Sequence, residues 1–214
     1  MKIAVYSVLI GDKGIVHPVP AQYSEEADFI MLTDRSEVSE GWKAVMVKNE
    51  LGDARRQSRL YKINPQVYFP EHDYTIYIDA SIMIAASPIE LINKYLNGYN
   101  IAAHHHQYRS CIYDEADTCI RWGYLKEEDA APQIEHYKQQ GFPSDWGLFE
   151  NGVLIRRNCP EMISLSTLWN EIYYRFTERD QLSLCYCLWK LGVDCNVIDK
   201  YIWEENTEFN YLGK

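Results

Sequence analysis

The chain has 214 residues, 47% hydrophobic and 24% charged, with a formal net charge of −10. That length supports one well-buried core, so a single domain over residues 1–214 is expected. No run approaches the ~18 apolar residues of a membrane span, and the negative charge argues against a nucleic-acid binder, which wants a basic face. A small anionic ligand remains compatible with it, if a local arginine and lysine cluster or a bound cation offsets the field. The six cysteines, at 111, 119, 159, 185, 187 and 195, make no CxxC pair and no zinc spacing. Reduced thiols in a cytoplasmic compartment are the simplest reading.

The opening "MKIAVYSVLIG" reads as a first strand rather than a secretory segment, because no small-residue cleavage site follows and "GDKG" has turn character. "DFIMLTD" and "WKAVMVK" read as the next strands. "DARRQSRLYKI" starts a helix at an Asp53 cap and ends or kinks near Asn64-Pro65. The strand "YTIYID" follows. Ser87-Pro88-Ile89-Glu90 then has capping-box spacing with proline in the first turn, and Gly98 is the stop. "NIAAH" is a strand, "CIYDEADTCIRWG" a helix ending at Gly123, and "GVLIR" a strand. Helices "PEMISLSTLWNEIYYRF" from Pro160 and "RDQLSLCYCLWKLG" up to Gly192 lead to a last strand, "VDCNVID". Alternating elements, with several strands apolar on both faces, predict an α/β fold: a mostly parallel twisted sheet with helices on both faces.

In such sheets ligands bind outside the carboxyl ends of the strands. The first strand ends near Ser7 and Gly11, the second at Thr33-Asp34 and the fourth at Asp79. If these strands are neighbours, Asp34 and Asp79 line one crevice. An isolated Asp34 is also a natural turn or cap residue. Asp79 is harder to read that way, since the chain continues "ASIMI" without a turn signal. Asp79 and Ser81 offer hard oxygen ligands suited to Mn2+ or Mg2+, with room left for phosphate oxygens. Such an ion acts as a Lewis acid on a leaving diphosphate. The preceding helix carries Arg55, Arg56, Arg59 and Lys62, of which 55, 59 and 62 share a face. A solvated basic face is the bland alternative. Arg59 is the preferred contact, since guanidinium binds phosphate bidentately.

With these residues in view, the blocks "DARRQSRLYKINPQVYFPEHDYTIYIDASI", "HHHQYRSCIYDEA", "GLFENGVLIRRN" and "RDQLSL" resemble the plant mucilage-related glycosyltransferases of the GT-A fold. They look closer still to the N-terminal glycosyltransferase domain of a chlorella-virus multidomain protein. Their order also resembles the glycogenin-like retaining transferases. The resemblance runs from residue 3 to about 190, and its specificity lies in order and spacing. It implies a GT-A (Rossmann-like) domain, a UDP-sugar donor, a manganese-type ion at the DxD position, and transfer to a hydroxyl of a glycan or glycoprotein, a viral capsid glycoprotein included. It also implies further domains beyond Lys214 and, for a viral protein, the host cytoplasm. Asp79 and Ser81 match the DxD, Asp34 an "FTD" aspartate near the nucleotide, Asn151 and Gly152 the "N-x-G" turn beside the sugar, and Asp180 and Gln181 the "DQ" pair near the reacting centre. Ser7, Arg56, Arg59 and Lys62 complete the expected nucleotide-sugar site. The chain departs from the glycogenin-like pattern in its Asp-Ala-Ser and in having no C-terminal histidine as third metal ligand.

A carboxylate near the anomeric carbon stabilises an oxocarbenium-like state, a role open to Asp180, although a helix-start aspartate is equally an N-cap. Glu150 and Asp145 are the runners-up, as a base on the acceptor if configuration is inverted. Trp146 suits a sugar face or the core. Of the histidines at 104–106, one reaching the site is plausible and the others belong on the surface. Arg109 is a weaker substrate contact. A non-catalytic nucleotide-sugar binding module is the alternative. A sugar nucleotidyltransferase ranks below it, because "IGDKGIVHPVP" is not a glycine-rich phosphate loop.

Overall fold

The computed structural model describes residues 1–11, 16–204 and 206–212; the expected "GDKG" turn lies mostly outside them. Seven strands form one sheet: β1 (Ile3–Leu9), β2 (Asp28–Thr33), β3 (Lys43–Met46), β4 (Tyr74–Ile78), β6 (Ile101–His105), β7 (Phe149–Arg157) and β8 (Cys195–Ile198). Their order is β3-β2-β1-β4-β7-β6-β8. Every neighbouring pair is parallel except the two that involve β7, which alone runs against the rest. A small antiparallel ribbon of β5 (Ile82–Ile84) and β9 (Phe209–Tyr211) stands apart.

The helices are α1 (Ala54–Ile63), the one-turn α2 (Pro65–Tyr68), α3 (Pro88–Tyr95), α4 (Ile112–Arg121), α5 (Glu127–Gln139), α6 (Pro160–Arg175) and α7 (Gln181–Leu191). Alternate side chains of β1 enter two cores on opposite faces of the sheet. Ala4, Tyr6 and Val8 join residues of α1, α4, α6 and α7, including the wholly buried Trp169. Ile3, Val5 and Leu9 join α3 and the β5–β9 ribbon, around Leu91, Ile84 and Phe209. The mostly parallel sheet covered on both faces is therefore the observed architecture. The strand read from "WKAVMVK" is present as β3, which ends the strand order with all its residues exposed.

The local signals act as the chemistry requires. Asp53 caps α1 by accepting from the amides of Arg55 and Arg56. Ser87 Oγ accepts from the Glu90 amide at the start of α3. Gly192 closes α7 in the left-handed conformation, φ 64°. The six cysteines are unpaired.

Candidate active site

β1 and β4 are neighbours, so their carboxyl ends meet, and β7 enters beside β4 from the other direction. The last pair of the β4–β7 ladder is Ile78 with Val153. The next residues face each other: the Asp79 amide donates to the Gly152 carbonyl at 2.8 Å. A turn closed by Ile82 N–H to the Asp79 carbonyl then carries Ser81. The buried strand thus ends in a turn that delivers a carboxylate to the sheet edge. Tyr77 sits on the same face two residues earlier, and its hydroxyl donates to Asp79 Oδ1 at 2.6 Å. Gly152 leaves the other carboxylate edge clear, since a Cβ there would stand 3.5 Å from Asp79 Oδ2.

α1 packs over this edge and turns Arg59 and Lys62 inward. Arg59 Nε donates to Asp180 Oδ1 at 2.9 Å, and Lys62 Nζ meets Asp180 Oδ2 at 2.7 Å. Lys62 Nζ also lies 4.0 Å from Asp79 Oδ1 and is only 1% exposed. Asp180 stands at the N-cap position of α7 but makes no capping bond; its carboxylate is given to the two cations and to Asn151 Nδ2. Burial alone would raise the Asp180 carboxyl, but Arg59 and Lys62 hold it well below the usual carboxylate range. Burial opposes the Arg59 charge, and Asp180 outweighs it, so the guanidinium stays protonated. Burial pushes the Lys62 ammonium below the ordinary lysine value against the pull of Asp180 and Asp79. Asn151 Oδ1 is buried among these groups with no hydrogen-bond partner in the protein.

Asp79, Asn151, Gly152, Asp180, Arg59 and Lys62 are therefore one cluster. Arg59 and Lys62 are held by Asp180 rather than standing open as a phosphate clamp, and Arg56 turns away to Glu178 at 2.8 Å. Ser7 is not brought to the cluster. It is wholly buried within β1, on the strand face of Val5 and Leu9, and its Oγ has no partner. Asp34 is exposed at the end of β2, where it accepts from the Gly11 amide at 3.0 and 3.1 Å. Its turn-stabilising reading is the one the geometry supports.

Gln181 faces a second group. Its Nε2 lies 3.2 Å from the Phe149 carbonyl and 3.4 Å from Glu150 Oε2. His106 Nε2 lies 3.4 Å from Glu150 Oε1 and 3.6 Å from Glu115 Oε2. Its Nδ1 accepts from the amides of Tyr108 and Arg109. Arg109 and Arg179 both pair with Glu115. Burial pushes the Glu150 carboxyl above its ordinary value. His106 is thus the histidine of the run that meets this second group. His105 is exposed, while His104 is not on the surface as expected: it is buried against Phe209 and bonded to the Lys200 carbonyl. Trp146 packs against Phe142 and Phe149, and Asp145 is exposed.

The sequence reading missed Tyr77, although its position two residues before Asp79 on one strand announces it. It also missed Glu115 and Arg179, which no spacing rule connects, and the exposed aromatics Trp122, Tyr124 and Trp203. Among the described residues no group of three His, Cys, Asp or Glu side chains forms a metal cage. The Asp79 carboxylate and Ser81 hydroxyl are hard oxygen donors at an open edge. They fit a divalent ion shared with a ligand's phosphate oxygens rather than one enclosed by protein. No helix of the described residues is long and apolar enough to cross a membrane.

Solved glycosyltransferases share this architecture. Mouse xyloside xylosyltransferase 1 in its apo form aligns with a TM-score of 0.53 over 93% of this chain and 86% of its own, at 11% identity. The apo structure of the bifunctional glycosyltransferase WbbM aligns at 0.52 over 92% of this chain and 38% of its own, again at 11% identity. These likenesses speak for the fold, which is the GT-A fold expected. In sequence, the Arabidopsis thaliana protein named Probable hexosyltransferase MUCI70 is 25% identical over 166 residues, 72% of this chain. The chain spans 29% of that relative's length. The profile of the TOD1/MUCI70 glycosyltransferase-like domain matches residues 22–210, nearly the whole sheet and both faces of helices, and the chain belongs to that family.

Proposed function

We propose that the chain transfers a hexosyl group from a UDP-sugar to a hydroxyl of a glycan, with retention of configuration. The observation that carries this reading is the charge cluster at the meeting of β4, β7, α1 and α7, where Asp79, Asn151 and Asp180 surround the two inward cations. Asp79 and Ser81 would hold Mn2+ or Mg2+, and the bound ion would supply positive charge to the departing diphosphate.

The protein's own groups account for the rest. Arg59 and Lys62 fix Asp180 as an ionised carboxylate, so it can face positive charge developing at the anomeric carbon without first losing a proton. The orphan Asn151 Oδ1 is an acceptor for a sugar hydroxyl. Gly152 lets the sugar and diphosphate approach the Asp79 edge. In the transfer, the bond from the anomeric carbon to the diphosphate oxygen breaks and its electron pair leaves with UDP. The acceptor oxygen forms the new bond on the same face, and its proton passes to the departing phosphate oxygen.

Calorimetric titration with UDP and a panel of UDP-sugars, with and without Mn2+, tests this in wild type and Asp79→Ala. Metal-dependent binding that is lost in the variant is expected, together with slow donor hydrolysis. Binding indifferent to both metal and Asp79 refutes the assignment, and binding without any turnover leaves a nucleotide-sugar binding module.

A further inference from the structure

Among the described residues five aromatic side chains are exposed: Tyr99, Tyr108, Trp122, Tyr124 and Trp203. All but Tyr99 line one cavity of about 250 Å³. Exposed aromatics scattered singly need no explanation, but four converging on one cavity do. They come from three separate parts of the chain: the loop after β6, the turn that ends α4, and the segment after β8.

The rim is held in place. The Arg109 guanidinium lies 5.8 Å from the Trp122 ring centroid and that of Arg179 lies 5.6 Å from Tyr124. Both arginines are in turn anchored on Glu115. The floor is polar, with Glu150, Gln181 and His106. A purely apolar ligand would desolvate that floor and leave its remaining hydrogen-bonding capacity unused. A diphosphate would meet the Glu150 and Glu115 carboxylates. A pyranose satisfies both halves, since its C–H face lies on an aromatic ring and its hydroxyls bond to carboxylate, amide and guanidinium groups.

The position is equally informative. Glu150 is two residues from Gly152 along β7, about 7 Å, and Gln181 follows Asp180 at the start of α7. The "DQ" pair is thus divided, with Asp180 facing the cations of α1 and Gln181 facing the aromatic cavity.

We propose that this cavity is the acceptor subsite, and that it takes a hexopyranose unit stacked on Trp122, Tyr124 and Trp203 with a hydroxyl bonded to Glu150. The name acceptor rests on the sugar-transfer reading; the preference for a pyranose rests on the lining alone.

The test is saturation-transfer NMR and tryptophan-fluorescence titration with methyl hexopyranosides and hexose trisaccharides, in the presence of UDP. Saturable binding is expected, weakened roughly tenfold or more in Trp122→Ala and in Trp203→Ala. Both side chains are exposed, and circular dichroism confirms that the variants fold. Absence of binding across the panel overturns the proposal, as does binding unchanged in both variants. A parallel UDP titration separates the two readings. UDP binding at Asp79 without sugar binding removes only the subsite, and sugar binding at the aromatics without UDP binding removes only the transfer reading.

Discussion

Replacing Lys62 with Met isolates the electrostatic logic of the site. Lys62 is 1% exposed, bonded to Asp180 at 2.7 Å and 4.0 Å from Asp79. Its ammonium lies over the Tyr77 ring, with Nζ 4.9 Å from the centroid. Methionine keeps most of that packing, so the change removes mainly charge. In the wild type, Arg59, Lys62, Asp79 and Asp180 balance two positive charges against two negative ones. Lys62→Met leaves a net negative charge in a buried place, and removing one partner of a buried pair costs about 3–5 kcal/mol. Arg59 still holds Asp180, so the lower end, about 3 kcal/mol, is expected. For a chain of this size that lowers Tm by roughly 6–12 °C. Asp180→Asn alone leaves the opposite imbalance and is also destabilising. The double variant restores neutrality, so it should be more stable than the sum of the singles implies by at least ~1 kcal/mol. Thermal and urea unfolding of the four proteins measure this. A single-variant loss under about 1 kcal/mol, or strict additivity, refutes the reasoning.

Two further outcomes follow from the geometry. Gly152→Ala places a Cβ 3.0 Å from Ile82 Cδ1 and 3.5 Å from Asp79 Oδ2; with a modest stability loss of about 1–3 kcal/mol, it should weaken metal-dependent UDP binding severalfold, and unchanged affinity in calorimetry would show that the ligand does not approach that edge. Glu150 has a carboxyl raised first by burial and also by Glu115, against a hydrogen bond from Trp203 and the charges of Arg109 and Arg179. Its folded state holds the proton more tightly than the unfolded one, so stability present below the ordinary value of ~4.3 is lost as pH rises through the folded pKa. Glu150→Gln should therefore be more stable than wild type at pH 7 and lose that advantage at low pH in urea titrations. Destabilisation at pH 7 would mean that Trp203, Arg109 and Arg179, with His106 and Gln181, outweigh burial.

The seven strands of the main sheet were legible because each is a short apolar run bounded by turn residues, and five helices because they carry caps or glycine stops. Four elements were not, the one-turn α2 among them, because Asn64-Pro65 reads as the end or kink of α1 rather than a new start. α5 has Pro132 inside it and buries only Ala130, Gln133 and Tyr137, so it lacks the apolar stripe that periodicity detects. Its first turn instead places Glu127, Glu128 and Asp129 at the positive end of the helix dipole. The β5–β9 ribbon pairs residues more than 120 positions apart, and a three-residue strand carries no signal of its own. At the site, Asp79, Asn151, Gly152 and Asp180 were found through motif order, and Arg59 through helix spacing. That Arg59 and Lys62 bind a carboxylate instead of facing solvent was not legible, because the partner lies 121 residues away from Arg59 on another helix. Ser7 was misplaced for a simpler reason: its position near a strand end said nothing about which face its side chain takes.

A four-charge cluster with Lys62 and Asp180 buried is an expensive way to hold a fold together. A packed apolar cluster of the same volume would serve stability as well or better, and nothing in the two cores needs Asp180 to anchor α7, since it forgoes the cap available to it. Such a cluster fixes one ionised carboxylate and one orphan acceptor, Asn151 Oδ1, in a single geometry beside an open carboxylate edge. On the other side of the same helix start, Glu150 is kept in an environment that burial makes unfavourable for its charge. The two arrangements meet at the adjacent residues Asp180 and Gln181, which the proposed function makes the junction of donor and acceptor. If Glu150→Gln gains stability while Lys62→Met loses it, burial dominates at Glu150 and charge pairing dominates at Lys62. The α1 half is then a cluster held by ion pairs with Asn151 Oδ1 left open to a ligand, and the aromatic half a partnered polar floor beneath exposed rings.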